Sequence, residues 1–185
     1  MNIKYILAVI SLVIGFQASS QYQLKRTKVN DHISMDIPED FRALEQGEII
    51  QKNISSRPPI AMYTDYNQQI DVVVNETSNT WQGGNYEVIK SLYKSTIANL
   101  FTEIEFIQEG IVEKAGRKFI VFEFISRVTD EDATFGNGVA IAKYTYIQYT
   151  LYQDKILLFN FTCPAKQQNQ WQDSAHEIMN SVRVK

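Results

Sequence analysis

Residues 142–163 read AKYTYIQYTLYQDKILLFNFTC. Tyr, Thr, Ile, Leu and Phe dominate both halves, the residue types that a pleated surface prefers. Gln153-Asp154 separates the halves, which predicts an antiparallel hairpin with a two-residue turn. Tyr152 then faces Lys155, and even positions of the first strand oppose odd positions of the second. One face gathers Tyr144, Tyr146, Gln148, Thr150, Tyr152, Leu157, Phe159 and Phe161. The other gathers Thr145, Ile147, Tyr149, Leu151, Ile156, Leu158 and Asn160. A sheet wetted on one side alternates apolar with polar. This hairpin is apolar on both sides, so both faces of its sheet should be covered.

The preceding sequence continues the pattern. Lys118–Val128 places Phe119, Val121 and Ile125 on one side and Ile120, Phe122 and Phe124 on the other. Ile104–Glu113 reaches it through the turn Ala115-Gly116. The covers are two amphipathic helices. Asn85 is a plausible N-cap, and Ile89, Tyr93, Thr96, Ile97 and Leu100 follow at helical spacing. A closing helix over about 168–182 aligns Trp171, Ala175, Ile178, Met179 and Val182. The fold class is therefore α+β: an α/β/α sandwich with a central antiparallel sheet. Upstream, residues 33–37 alternate until Pro38 breaks the ladder. Phe41–Leu44 and Glu48–Gln51 read as short strands, and Ala61–Tyr66 with Ile70–Asn75 as a hairpin. Residues 21–30 read as a polar lead-in, and 31–185 as one domain.

The N-terminus, MNIKYILAVISLVIGFQASS, has Lys4, an apolar run from Ile6 to Phe16 and small residues before Ser20. That is the pattern of a secretory signal peptide over 1–20, cleaved after Ser20. The expectation is an exported protein, periplasmic or extracellular, without a stable membrane span once cleaved. The run is shorter than the ~20 residues a span needs. With 44% hydrophobic and 21% charged residues in 185, the chain is ordinary globular material. Its formal net charge of −3 argues against a nucleic-acid footprint. The single cysteine, Cys163, excludes an intrachain disulfide and reads as a buried small hydrophobe.

Certain motifs have a familiar order. Ile37-Pro38 leading to Phe41, then Phe159-Asn160-Phe161-Thr162-Cys163-Pro164, Trp171 and Ile178-Met179-Asn180-Ser181-Val182 resemble the framework of the PsbP/DcrB-like superfamily. The resemblance covers roughly residues 30–185. It implies a central antiparallel sheet between helices, and proteins that mostly serve as binding or assembly modules. It carries over no functional residue, and fold analogy does not transfer function.

Chemistry-bearing constellations are sparse. The two histidines, His32 and His176, lie far apart in sequence, and no G-x-S-x-G presents a serine. One Cys and two distant His offer no zinc spacing, so no metal or cofactor is expected. Asp130-Glu131-Asp132 reads as a solvated acidic loop. Two features rise above the rest. Glu123 sits among apolar neighbours, where a carboxylate must be hydrogen-bonded, paired or at an opening. Its simplest partner is a Lys or Arg on the adjacent strand; otherwise it is a pocket carboxylate. Tyr144, Tyr146 and Tyr152 form a row with apolar bodies and polar tips. With the loops around Trp81 and Phe135 they make a candidate contact surface; the simpler reading is core.

These readings lead to an expectation of an exported, non-enzymatic binding or assembly module of the cell envelope with an unidentified protein partner. A carrier of a small apolar ligand, with a pocket between sheet and helix closed by Glu123, is the alternative. A hydrolase using Glu123, His32 or Asp36 is a third reading.

Overall fold

A computed structural model describes residues 22–52, 58–77, 80–81, 84–128 and 141–185. Segment 1–20, the acidic run 130–132 and Phe135 lie outside them. Among the described residues the central sheet has seven strands. In spatial order they are β3 (Arg42–Ala43), β4 (Ala61–Thr64), β5 (Asp71–Glu76), β9 (Lys155–Pro164), β8 (Ile141–Tyr152), β7 (Arg117–Val128) and β6 (Glu103–Lys114). Every pairing in it is antiparallel. The β8–β9 register pairs Tyr152 with Lys155 and Tyr144 with Cys163, as the alternation predicted.

Each face of the sheet has its own cover. Helix α2 (Tyr86–Ala98) lays Ile89 and Ile97 over Ile120, Phe122, Phe124, Ile147, Tyr149 and Ile156. Its start is fixed by the Asn85 side chain, which accepts from the Glu87 N–H at 3.0 Å. Leu100, expected on its buried stripe, is 65% exposed, because the helix ends at Ala98 and Asn99 caps it. Helix α3 (Gln168–Asn180) covers the other face with Trp171, Ala175, Ile178 and Met179, against Phe119, Val121, Tyr144, Tyr146, Phe159 and Phe161. Beside it lies a second sheet, β1 (Leu24–Lys28), β2 (Ile33–Pro38) and β10 (Arg183–Val184), which brings Ile33, Met35 and Ile37 into the same core. The α/β/α reading stands, with one layer built from helix and small sheet together.

Three local expectations are corrected. Residues 24–28 of the supposed lead-in form β1, paired along its whole length with β2. Their polarity is that of an edge strand with one face in water. Residues 48–51, read as a strand, belong to helix α1 (Gln46–Lys52). Glu48 reaches back to accept from the Glu45 N–H at 3.0 Å, which satisfies a donor at the helix start. Arg42 donates to both Glu48 oxygens, at 2.9 and 2.7 Å, and this guanidinium above all holds the Glu48 carboxyl at about 2. The closing helix stops at Asn180, and Arg183-Val184 leaves it to pair with β2. There Arg26 donates to the Ser181 carbonyl at 2.7 Å, and the Asp36 N–H donates to Ser181 Oγ at 2.7 Å.

The β8–β9 turn gives a first prediction. Gln153 and Asp154 both take positive φ, 48° and 61°, a left-handed pair that suits the strand twist but strains side chains with a Cβ. Asp154→Gly is expected to stabilise the fold by about 0.5–1 kcal/mol. Urea unfolding checks it; a lower midpoint for the variant would contradict the turn assignment.

Candidate functional site

Glu123 projects from the middle of β7 towards α3. Its register neighbour on β8 is Tyr146, with Tyr144 diagonally adjacent. It is 1% exposed. Oε1 accepts from the Tyr144 hydroxyl at 2.9 Å and from Gln172 Nε2 at 2.6 Å. Oε2 meets His176 Nε2 at 3.0 Å. Gln172 and His176 are one helical turn apart, so one flank of α3 delivers both donors. The His176 ring also stands edge-on to Tyr146, centroids 5.1 Å apart. Burial, then the Glu123 charge, pushes both phenols up, Tyr146 to about 12 and Tyr144 further, so both remain neutral and Tyr144 keeps the proton it donates.

The expected partner for Glu123, a cation on the adjacent strand, is replaced by a tyrosine and two side chains of the covering helix. The carboxylate does not open on a pocket; it is sealed beneath α3. Chemically the group is a carboxylate–imidazole pair with the His176 side chain 39% exposed. Among the described residues no hydroxyl or thiol is hydrogen-bonded to His176. The other members of the hydrolase reading do not join it. Asp36 is ion-paired to Arg26 at 3.0 Å, and His32 lies 5.8 Å from the Tyr152 ring.

The tyrosine row is corrected in the same way. Tyr144 and Tyr146 are 0% and 4% exposed, because α3 covers the face they share. Tyr152, at the strand end, is partly buried with Arg117 over its ring. Trp81 packs against the α2 core, its main-chain N–H donating to the Asp154 carbonyl at 2.6 Å. Tyr144 and Tyr146 are core, Tyr152 lies at its rim, and Trp81 lies on the opposite face of the sheet from Tyr144 and Tyr146. Cys163 is fully buried, and burial pushes its thiol up to about 12, so it is not a reactive thiolate.

A second polar contact lies along the same face. Lys114 Nζ donates to Gln148 Oε1 at 3.0 Å, and Gln148 Nε2 donates to the Met179 carbonyl at 2.9 Å. Burial, reinforced by Arg183, draws the Lys114 ammonium down to about 8 from its ordinary 10.5. Below that pH, Lys114 is charged in both the folded and unfolded chains, and the folded chain carries the full desolvation penalty. As pH rises from 8 towards 10.5 the unfolded chain binds more protons, so the penalty is relieved and stability rises. The stability of the native chain relative to Lys114→Met should therefore increase between about pH 8 and pH 10. A difference that stays flat with pH would rule this out.

The space under the first turn of α2, lined by Tyr86, Ile89, Ile120, Tyr149 and Leu151, has no room even for a water molecule. No carrier pocket opens at that place. A larger space, 390 Å³, opens between the two sheets, where β1 and the end of β2 stand off from β3 and β4. Among the described residues no cluster of His, Cys, Asp and Glu could hold a metal ion. Nor, among those residues, is any helix long and apolar enough to cross a membrane.

This arrangement of a seven-stranded sheet between α2 and an α3–small-sheet layer has known counterparts. The cyanobacterial PsbP (CyanoP) of Synechocystis sp. PCC 6803 superposes with a TM-score of 0.61 at 11% identity, over 92% of this chain and 96% of that one. The chain has the PsbP-like fold. The Ran-binding protein Mog1p of Saccharomyces cerevisiae shares it at a TM-score of 0.56 and 12% identity, over 88% and 96% of the two chains. LpqN of Mycobacterium tuberculosis, a protein involved in cell envelope biogenesis, does so at 0.56 and 10%, over 89% and 92%. No protein-family model and no curated protein matches the sequence. At these identities the PsbP-like likeness is one of architecture, as the framework motifs around Pro38, Phe161 and Trp171 implied.

Proposed function

We propose that this chain is an exported, non-enzymatic binding or assembly module of the cell envelope. One observation carries the reading. The carboxylate best placed for chemistry, Glu123, has its oxygens taken up by Tyr144, Gln172 and His176 of the same chain. Those bonds join the covering helix to the sheet, which spends the interior's ionisable groups on holding the layers. Function then falls to the outer surface and the margin between the sheets. The PsbP-like relatives in envelope biogenesis and in Ran binding support a module of this kind.

Photocrosslinking in the native host tests it. A photoreactive residue at the Lys25 position should yield a discrete adduct of constant mass, and one at Glu105 on the far edge strand should not. An esterase and glycosidase screen runs beside it. Turnover by the native chain that is lost in His176→Ala would contradict the reading.

A further inference from the structure

The 390 Å³ space between the sheets has the chemistry of a ligand site, and its size falls within the roughly 300–1,000 Å³ of small-molecule pockets. Its apolar surface comes from Ile37, Phe41, Ala43 and Tyr63. The Ala43–Tyr63 pair belongs to β3 and β4 at the margin of the large sheet, and Ile37 lies opposite Lys25 in the β1–β2 register. Opposite residues in an antiparallel pair point to the same side, and Ile37 is core. Lys25 therefore stands on the inner side of β1, at the mouth of the space.

The charges there are not equivalent. Arg26 is neutralised by Asp36 at 3.0 Å, and Lys28 by Asp31 at 2.6 Å. Lys25 has no ion pair among the described residues. Tyr63 is 8% exposed, and its hydroxyl makes no hydrogen bond among the described residues. An unpaired ammonium and an unpaired phenol thus stand beside aromatic and aliphatic surface. Glu39 also lines the space and repels a second negative charge.

We propose that this space binds a small organic monoanion, a carboxylate on a flat or short aliphatic body. The body packs on Phe41, Tyr63 and Ile37, and the carboxylate accepts from Lys25 Nζ. The site goes beyond the protein-partner reading and does not require it. An inward lysine on an edge strand also discourages edge-to-edge pairing, and the test separates the two roles.

The experiment is a titration of the isotope-labelled full chain, followed by amide chemical shifts. The probe is 2-naphthoate, with 2-naphthol, 2,6-naphthalenedicarboxylate and inorganic phosphate as comparisons. The expected result is saturable shifts at Lys25, Thr27, Ala43 and Tyr63 with 2-naphthoate, and weaker binding of the neutral and doubly charged analogues. Lys25→Gln should bind about tenfold more weakly, while Lys25→Arg stays close to native. Tyr63→Phe should lose part of the affinity with the fold intact. No saturable shift at these amides, or equal affinity for Lys25→Gln, overturns the site. Binding of inorganic phosphate at these amides as tight as that of 2-naphthoate also overturns it. So does a Lys25→Gln chain that self-associates in sedimentation while its 2-naphthoate affinity is unchanged, since Lys25 would then be an edge guard alone. None of these outcomes depends on the crosslinked partner, so the two readings fail separately.

Discussion

Glu123→Leu should destabilise the protein by about 3 kcal/mol, a fall of roughly 10 °C in Tm. The loss does not come from an emptied volume, because leucine is of similar size. It comes from donors that the carboxylate now satisfies. Tyr144 is fully buried, and its hydroxyl would have no acceptor in place of Glu123. A buried unsatisfied polar group costs about 1–3 kcal/mol. Gln172 and His176 lie nearer the surface and can turn to water, but α3 then loses the bonds these two side chains make to β7. Differential scanning calorimetry would show the effect, and an unchanged Tm would mean that the carboxylate holds nothing.

Trp171→Ala should cost about 3–5 kcal/mol, the usual penalty for removing a large aromatic side chain from a packed core. Trp171 is 3% exposed. Its ring stacks on Tyr22 with centroids 3.7 Å apart and planes 11° apart, and it meets Phe41 and Phe161 at 5.6 and 5.7 Å. These contacts join α3, the large sheet and the chain leading into β1. Gln170, one residue earlier on the helix, also donates to the Tyr22 hydroxyl. The substitution should therefore loosen β1 as well as α3, and Trp171→Phe should recover much of the loss. A Tm unmoved by the alanine would place the ring outside the core.

The long strands were legible because each runs for ten or more residues between turn signals, and because the hairpin 142–163 is apolar on both sides. The two-residue turn then set the register, and the register set which side chains meet which helix. Short elements were not legible. In residues 24–28 the small sheet buries too little for a clear alternation. In residues 46–52, Ile49 is buried and Ile50 is 68% exposed, a pattern as suited to a strand as to one turn of helix. Arg183-Val184 is too short to carry a period.

The site was half legible. Glu123 stood out because a carboxylate inside an apolar strand must find donors, but a strand pattern points only to neighbouring strands. Its helix partners had a signal in the spacing of Gln172 and His176, one turn apart on the flank of the Trp171–Ala175 stripe. That signal means something only once α3 is known to cross above β7. The tyrosine row fails as a contact surface for the same reason. Aromatic residues with polar tips suit an interface and a core rim equally, and the helix above Tyr144 and Tyr146 decides between them. The space beside Lys25 had no sequence signal, since it is made by two sheets diverging and not by a motif.

The central claim is that Glu123 is a closed structural junction, fully engaged by its own chain. A double-mutant cycle on Glu123→Leu and Tyr144→Phe, followed by urea unfolding, tests it most directly. Removing both partners leaves no orphaned hydroxyl, so the double variant should be more stable than the sum of the single losses by about 1–2 kcal/mol. Additive losses, with Tyr144→Phe no help to Glu123→Leu, would contradict it.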